Sequence, residues 1–145
     1  MTPEIHYIPN NYVGPVYIYF NQRDGANREF LDSKRLYRIP GTGNLKTKFK
    51  PNTGWYKNDN ITEIYYVDDA DTRIKRLEFR NMIATDSMRN QNMVGVTGIG
   101  HHSMSSDKGD LIYIKYIVDT LSLIAKKYPN YVLIGPSLPW KELNN

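Results

Sequence analysis

Apolar and polar side chains alternate at a spacing of two through much of the chain, and clusters of Pro, Gly, Asn and Asp interrupt the pattern. Successive side chains of a strand point to opposite faces, so this periodicity predicts half-buried β-strands separated by turns. Ile5 to Ile8 forms a first run that stops at Pro9-Asn10-Asn11. In the next, Val16, Ile18 and Phe20 share one face while Tyr17 and Tyr19 share the other, and Asp24-Gly25 supplies a turn. Tyr37 and Ile39 then lie opposite Leu36 and Arg38, before Pro40-Gly41-Thr42-Gly43. Leu45, Thr47 and Phe49 alternate with Lys46, Lys48 and Lys50, as in a strand wet on one side. Lysines on such a strand also discourage pairing of an open sheet edge with another molecule.

Further strands are predicted at Thr62 to Val67 and Arg73 to Phe79, joined by an aspartate-rich turn, and at Val94 to Ile99. Gly95 and Gly98 within the last of these mark a bulge or a close backbone approach. Asn81 to Asn92 is polar and reads as a loop. From Leu111 two periods compete. Ile112, Ile114, Tyr116 and Val118 alternate as a strand, whereas Ile114, Ile117, Val118, Leu121, Ile124 and Tyr128 fit one face of a long helix. β-Branched and aromatic enrichment favours a strand from Leu111 to Val118. A short helix follows from Thr120 to Tyr128, capped by Asp119 or Thr120, with Lys126 and Lys127 favourably placed at its C-terminal end. Tyr131 to Ile134 reads as a last strand. These elements define a mainly β fold, an antiparallel β-sandwich or barrel-like domain with a short C-terminal helix; the alternative is an α+β fold with a longer helix around 111–128.

With 145 residues, the chain fits a single domain, 1–145. It contains no cysteine, which excludes disulfides, thiolate metal sites and a cysteine nucleophile. No apolar run reaches the roughly 20 residues of a membrane span. The net charge is +4 and its placement is uneven. Arg28, Lys34, Arg35, Arg38, Lys46, Lys48 and Lys50 form a basic stretch, whereas Glu63, Asp68, Asp69 and Asp71 form an acidic one followed by Arg73, Lys75, Arg76 and Arg80. Alternating blocks of this kind pair with one another or lie on solvated faces. No nucleic-acid partner is expected, because Tyr37 and Phe49, the aromatic rings beside the basic residues, take inward positions.

Three segments carry a resemblance. Ile8 to Val16 reads IP-x-x-Y-x-G-P-V, Tyr37 to Thr47 reads Y-R-I-P-x-x-G-x-L-K-T, and Tyr65 to Asp68 reads Y-Y-V-D. Over residues 5–70 the chain resembles a family of small bacterial domains of unknown function, found in Bacteroidetes and relatives and often exported or lipid-anchored. The resemblance implies an exported, mainly β domain and offers no catalytic residues to carry over. The chain departs from it in having neither a leader pattern after Met1-Thr2-Pro3 nor a lipobox cysteine. Localisation is therefore open between export to the cell envelope, with a leader removed, and the cytoplasm.

Candidate chemistry is sparse. His101 and His102 could share an ion with Asp107, giving a metal-binding protein or hydrolase, although neighbours on a strand point apart. Ser103, Ser105 and Ser106 flank them without a nucleophile elbow. The aspartates at 68, 69 and 71 lack the spacing of a helix–loop–helix calcium site, and the glycines from Gly41 to Gly43 join two strands rather than opening a phosphate-binding helix. No cofactor is implied. What remains is a surplus of tyrosine: Tyr17, Tyr19, Trp55, Tyr56 and Tyr65 are candidate contact residues for a protein or carbohydrate surface, since aromatics bury much area for little side-chain entropy. The leading expectation is a non-catalytic exported or envelope-associated binding module. Alternatives are the histidine-centred metal protein or hydrolase and a cytoplasmic partner protein such as an immunity factor, with oligomerisation left open.

Overall fold

The computed structural model describes residues 2–52, 62–80, 94–106, 109–128, 137–139 and 142–143. The strands are β1 (Glu4–Pro9), β2 (Gly14–Tyr19), β3 (Glu29–Leu31), β4 (Lys34–Arg38), β5 (Asn44–Lys46), β6 (Thr62–Val67), β7 (Arg73–Leu77), β8 (Phe79–Arg80), β9 (Val94–Ser106) and β10 (Gly109–Thr120). Helix α1 spans Leu121–Lys127. The loop read over 81–92 and the final strand read over 131–134 fall outside the described residues.

Two five-stranded sheets face each other, sheet I in the order β3-β4-β1-β6-β7 and sheet II in the order β5-β2-β10-β9-β8. Ile8, Tyr37, Ile64, Tyr66 and Leu77 point inward from sheet I, against Val16, Ile18, Leu45, Val96, Ile114, Tyr116 and Val118 from sheet II. Burial of each aliphatic side chain contributes about 1.5–3 kcal/mol. This is the sandwich that the period of two predicts. Its pairing, however, is mixed rather than wholly antiparallel. The hairpins β3–β4, β6–β7 and β9–β10 are antiparallel, while β1 runs parallel to β4 and β6, β2 to β5, and β8 to β9. The pairs β1–β4, β1–β6 and β2–β5 are parallel because the chain leaves one sheet, visits the other and returns in the same direction.

Three local features set the ends of these elements. The predicted strand from Arg73 to Phe79 is divided at Glu78, where β7 of sheet I gives way to β8 of sheet II. The β9–β10 hairpin continues through His101 to Ser106, beyond the predicted end at Ile99. Its pairing slips opposite Tyr116: Thr97 pairs with Ile117 and Gly100 with Lys115, so Gly98 (φ 72°) and Ile99 share one partner as a β-bulge. Gly95 is the close approach, since a Cβ there would lie 2.9 Å from Leu121 Cδ2.

Helix α1 lies against β10 and β9, packing Leu121, Ile124 and Tyr128 on Ile117. Thr120 is its N-cap residue but makes no side-chain cap bond. Buried Asp119 instead accepts the Thr120 N–H at 2.7 Å through Oδ1 and pairs with Lys127 Nζ at 3.0 Å through Oδ2. No described helix is long and apolar enough to cross a membrane.

The crossover from β1 to β2 depends on Tyr12. Its hydroxyl donates to Pro15 O at 2.5 Å, its own carbonyl accepts from Tyr66 Oη at 2.6 Å, and its ring packs beside Gly43. Gly43 has φ 79°, and a Cβ there would lie 2.5 Å from Pro15 O. Gly43→Ala combines a left-handed backbone with a clash, and should cost about 2–4 kcal/mol in urea unfolding; a loss below about 0.5 kcal/mol would show that the crossover tolerates movement.

Candidate functional site

The outer face of sheet I is built by register. Tyr7 pairs with Arg38 on one side and Tyr65 on the other, and Tyr65 pairs with Arg76, which sets Arg38, Tyr7, Tyr65 and Arg76 in a row across four strands. Arg73 stacks over Tyr65 at 4.2 Å and over Tyr7 at 5.7 Å, and its Nε donates to Tyr7 Oη at 3.2 Å. Arg38 lies over Tyr7 as well, at 5.8 Å, with its guanidinium bound to Glu29 at 3.0 Å and Asp71 at 2.6 Å. Lys34 and Tyr65 both donate to Glu63, at 2.6 and 2.8 Å. Burial would raise the Glu63 pKa, but these two donors together with the Lys34 and Arg76 charges hold it below the ordinary value. Beneath this charged layer lie Ile5, Tyr7, Leu36 and Val67. At the C-terminal ends of β1, β4 and β6 the face deepens into a groove of about 450 Å³, lined among others by Tyr7, Asn10, Arg38, Asp68, Asp69 and Asp71. Asp68 itself shapes the turn, accepting the N–H groups of Ala70 and Thr72 at 2.9 Å.

A second polar group sits inside the sandwich. Glu4 and His6 occupy the inward face of β1 with Ile8, and both are fully buried. His6 Nδ1 hydrogen-bonds Tyr116 Oη at 2.8 Å, linking sheet I to sheet II. Its Nε2 lies 3.5 Å from Glu4 Oε1, while Glu4 Oε2 accepts from Asn52 Nδ2 at 3.0 Å. Tyr37 meets the imidazole edge-on at 5.0 Å and accepts from Arg35 at 3.3 Å. Burial, and then the Glu4 charge, push the Tyr37 and Tyr116 hydroxyls well above their ordinary pKa. Glutamate, imidazole and phenol are acid–base groups. Here they are closed between the sheets and line neither described groove. Sequence reasoning missed the cluster, although the period of two that puts Ile8 inside also puts Glu4 and His6 there.

The sequence-predicted site residues are dispersed. Tyr17 and Tyr19 stack at 6.0 Å on the outer face of sheet II, buried with Tyr113, Leu111 and Leu143, with partly buried Leu138 packed against them. Tyr19 Oη accepts the N–H groups of Ser137 and Leu138 at 3.0 and 3.1 Å. Tyr65 lies on the opposite outside surface, that of sheet I. Trp55, Tyr56 and Asp107 fall outside the described residues. His101 and His102 belong to β9, not to a loop, and project to opposite faces. His101 stacks on Phe20 at 6.0 Å and His102 on Tyr113 at 5.4 Å. Their imidazoles therefore do not converge, and no three His, Cys, Asp or Glu side chains form a metal-holding group among the described residues. Burial lowers both pKa values; Lys115 and His101 lower that of His102 further.

The fold and its surfaces thus define a β-sandwich of two mixed sheets, with one outer face overlaid by a helix and C-terminal residues and the other layered with charged side chains. Residues 1–118 match the family of unknown function DUF6843, and the chain belongs to that family. No curated protein matches it. Among solved structures it is similar to one described as "Putative Lipoprotein from Bacillus anthracis", with a TM-score of 0.57 and 15% identity over 96% of this chain and 85% of that one. At that identity the likeness is one of fold.

Two outcomes follow from the buried tyrosines. Tyr116→Phe leaves the His6 imidazole without its partner across the sandwich and should cost about 1–3 kcal/mol in chemical denaturation; an unchanged midpoint would show that the bond contributes nothing net. Burial raises Tyr17 and Tyr66 from 10.0 to about 12. The folded state holds these protons more tightly than the unfolded one, so their contribution to stability is complete below pH 10 and is lost as pH rises toward 12. Unfolding free energy measured against pH should therefore fall through that window, and a flat profile there would contradict the burial.

Proposed function

We propose that residues 1–145 form one domain, a non-catalytic binding module of the bacterial cell envelope that meets its partner through the outer face of sheet I. The observation that carries this reading is the difference between the two outer faces. On sheet II, α1 and residues near the C-terminus overlie the apolar side chains. On sheet I, among the described residues, long charged side chains lie over Tyr7 and Tyr65, while α1 packs on β10 and β9 of sheet II. Tyrosine and arginine dominate the energetics of many protein contacts, and they also suit a carbohydrate surface. Tyr65 with Arg73 forms the centre of this contact. Closure of Glu4, His6 and Tyr116 inside the sandwich favours binding over catalysis, because a substrate does not reach them. Placement at the envelope draws support from the fold likeness to a protein described as a "Putative Lipoprotein" and from the resemblance to exported domains.

Fractionation of cells expressing the full gene tests the compartment, and binding of the labelled domain to isolated host envelopes tests the face. The product should fractionate with the envelope. Tyr65→Ala/Arg73→Ala should weaken binding about tenfold or more, equivalent to at least ~1.4 kcal/mol. A cytosolic product, or equal binding by wild type and variant, would overturn the proposal.

A further inference from the structure

The edges of the two sheets meet where β3 approaches the residues following β5. Phe30 of β3 packs edge-on against Phe49 at 5.4 Å, and Arg35 lies over the Phe49 ring at 4.7 Å. Phe49 is buried, but Phe30 is 62% exposed, the most exposed of the large apolar side chains described. Alternation around Phe49 turns Lys48 and Lys50 outward, and both are exposed. Beside them is a groove of about 360 Å³ lined by Asn21, Gln22, Arg23, Lys48 and Lys50. Among the described residues its lining therefore holds three cations, two amides and no carboxylate.

The surroundings hold this arrangement in place. Asn21 N–H donates to Phe49 O and Gln22 N–H to Thr47 O, each at 2.9 Å, which joins the two walls. Buried Gln22 donates through Nε2 to Phe20 O at 2.9 Å. Of the carboxylates nearby, Asp24 binds Lys46 at 2.6 Å and Glu29 binds Arg38 at 3.0 Å. Lys48 Nζ donates to the neutral amide oxygen of Asn27 at 2.9 Å, so this contact leaves its charge uncompensated.

We infer that this edge docks on an anionic membrane surface, with Arg23, Lys48 and Lys50 receiving lipid phosphate groups and Phe30 entering the interfacial layer. Cations near an anionic leaflet gain electrostatic attraction, while an adjacent exposed ring gains from leaving water. A soluble phosphate would satisfy the cations but leave Phe30 in water, and the pairing of the two features therefore points to a lipid headgroup. Nucleic acid fits less well, because among the described residues this edge exposes one ring, Phe30, whereas a strand of bases needs a succession of rings beside the cations. This contact is separate from the face of sheet I and does not depend on the function proposed for it.

Sedimentation with pure lipid vesicles provides the test, using phosphatidylglycerol mixed with phosphatidylcholine and, in parallel, phosphatidylcholine alone. Wild-type protein should sediment with the anionic vesicles, release as salt is raised, and remain in solution with the neutral ones. Lys48→Glu/Lys50→Glu, shown by circular dichroism to be folded, should lower the partition coefficient about tenfold or more. Phe30→Ser should weaken binding while keeping its salt dependence, and Tyr65→Ala/Arg73→Ala should bind as wild type does. Absence of binding to anionic vesicles at low salt, or equal binding by the charge-reversal variant, would overturn the inference. So would a thermal shift with inorganic phosphate in the absence of vesicle binding, which would mark a site for a free anion.

Discussion

Tyr12 sits where the chain passes from one sheet to the other, and the placement of several elements depends on it. Its hydroxyl is used by Pro15 at the start of β2, and its carbonyl by Tyr66 of β6. Gly43, just before β5, lies against its ring and accepts the Tyr17 N–H at 2.8 Å through its own carbonyl. One residue, through its side chain and its backbone, thus joins β1, β2, β5 and β6 across both sheets. Each of the three short sequence patterns contributes to this junction: Tyr12 and Pro15 come from the first, Gly43 from the second and Tyr66 from the third. A left-handed backbone at Gly43 and a close ring leave little choice of residue.

The His6–Tyr116 bond addresses a different requirement. Apolar side chains alone tolerate sliding between two stacked sheets, because dispersion has little directionality. A buried imidazole that must meet a phenol at 2.8 Å allows few alignments. Burial of Glu4 beside it adds a constraint on the β1 edge of the interior, through Asn52 and its reciprocal bonds with the Thr2 backbone at 3.1 and 2.7 Å. Such groups stabilise little relative to well-packed apolar side chains, and their hydrogen bonds restrict which alignments of the two sheets satisfy them.

Much of this architecture was legible in the sequence. The alternation from Val16 to Phe20 separates core from outer tyrosines as the structure does, and the period from Leu45 to Phe49 identifies which lysines face water. Competing periods after Leu111 resolve into strand then helix, with the junction at Thr120 and Leu121. Pairing direction was not legible, because parallel neighbours are set by crossings between sheets and not by side-chain period. Phe30 escaped notice because β3 has only three residues and little alternation. The extension of β9 was hidden for another reason: beyond Ile99 its polar side chains suggest a loop, yet its backbone is paired through Ser106. The bulge at Gly98 also shifts the alternation by one residue, so that His101 instead of His102 turns toward the sandwich interior.

The same constraints explain where a partner is most readily accommodated. A partner approaching sheet II would have to displace α1, whose Leu121 and Ile124 are buried on Ile117, and would expose apolar area in doing so. On sheet I the covering consists of side chains with many rotamers and exposed ion pairs, which individually contribute about 0–1 kcal/mol. Arg38 and Arg73 can exchange their present carboxylate and phenol contacts for equivalent groups on a partner without unfolding any backbone. Rigid strands beneath a replaceable polar layer therefore make binding at this face cheaper than at the helix-covered one, and this difference follows from register and packing alone.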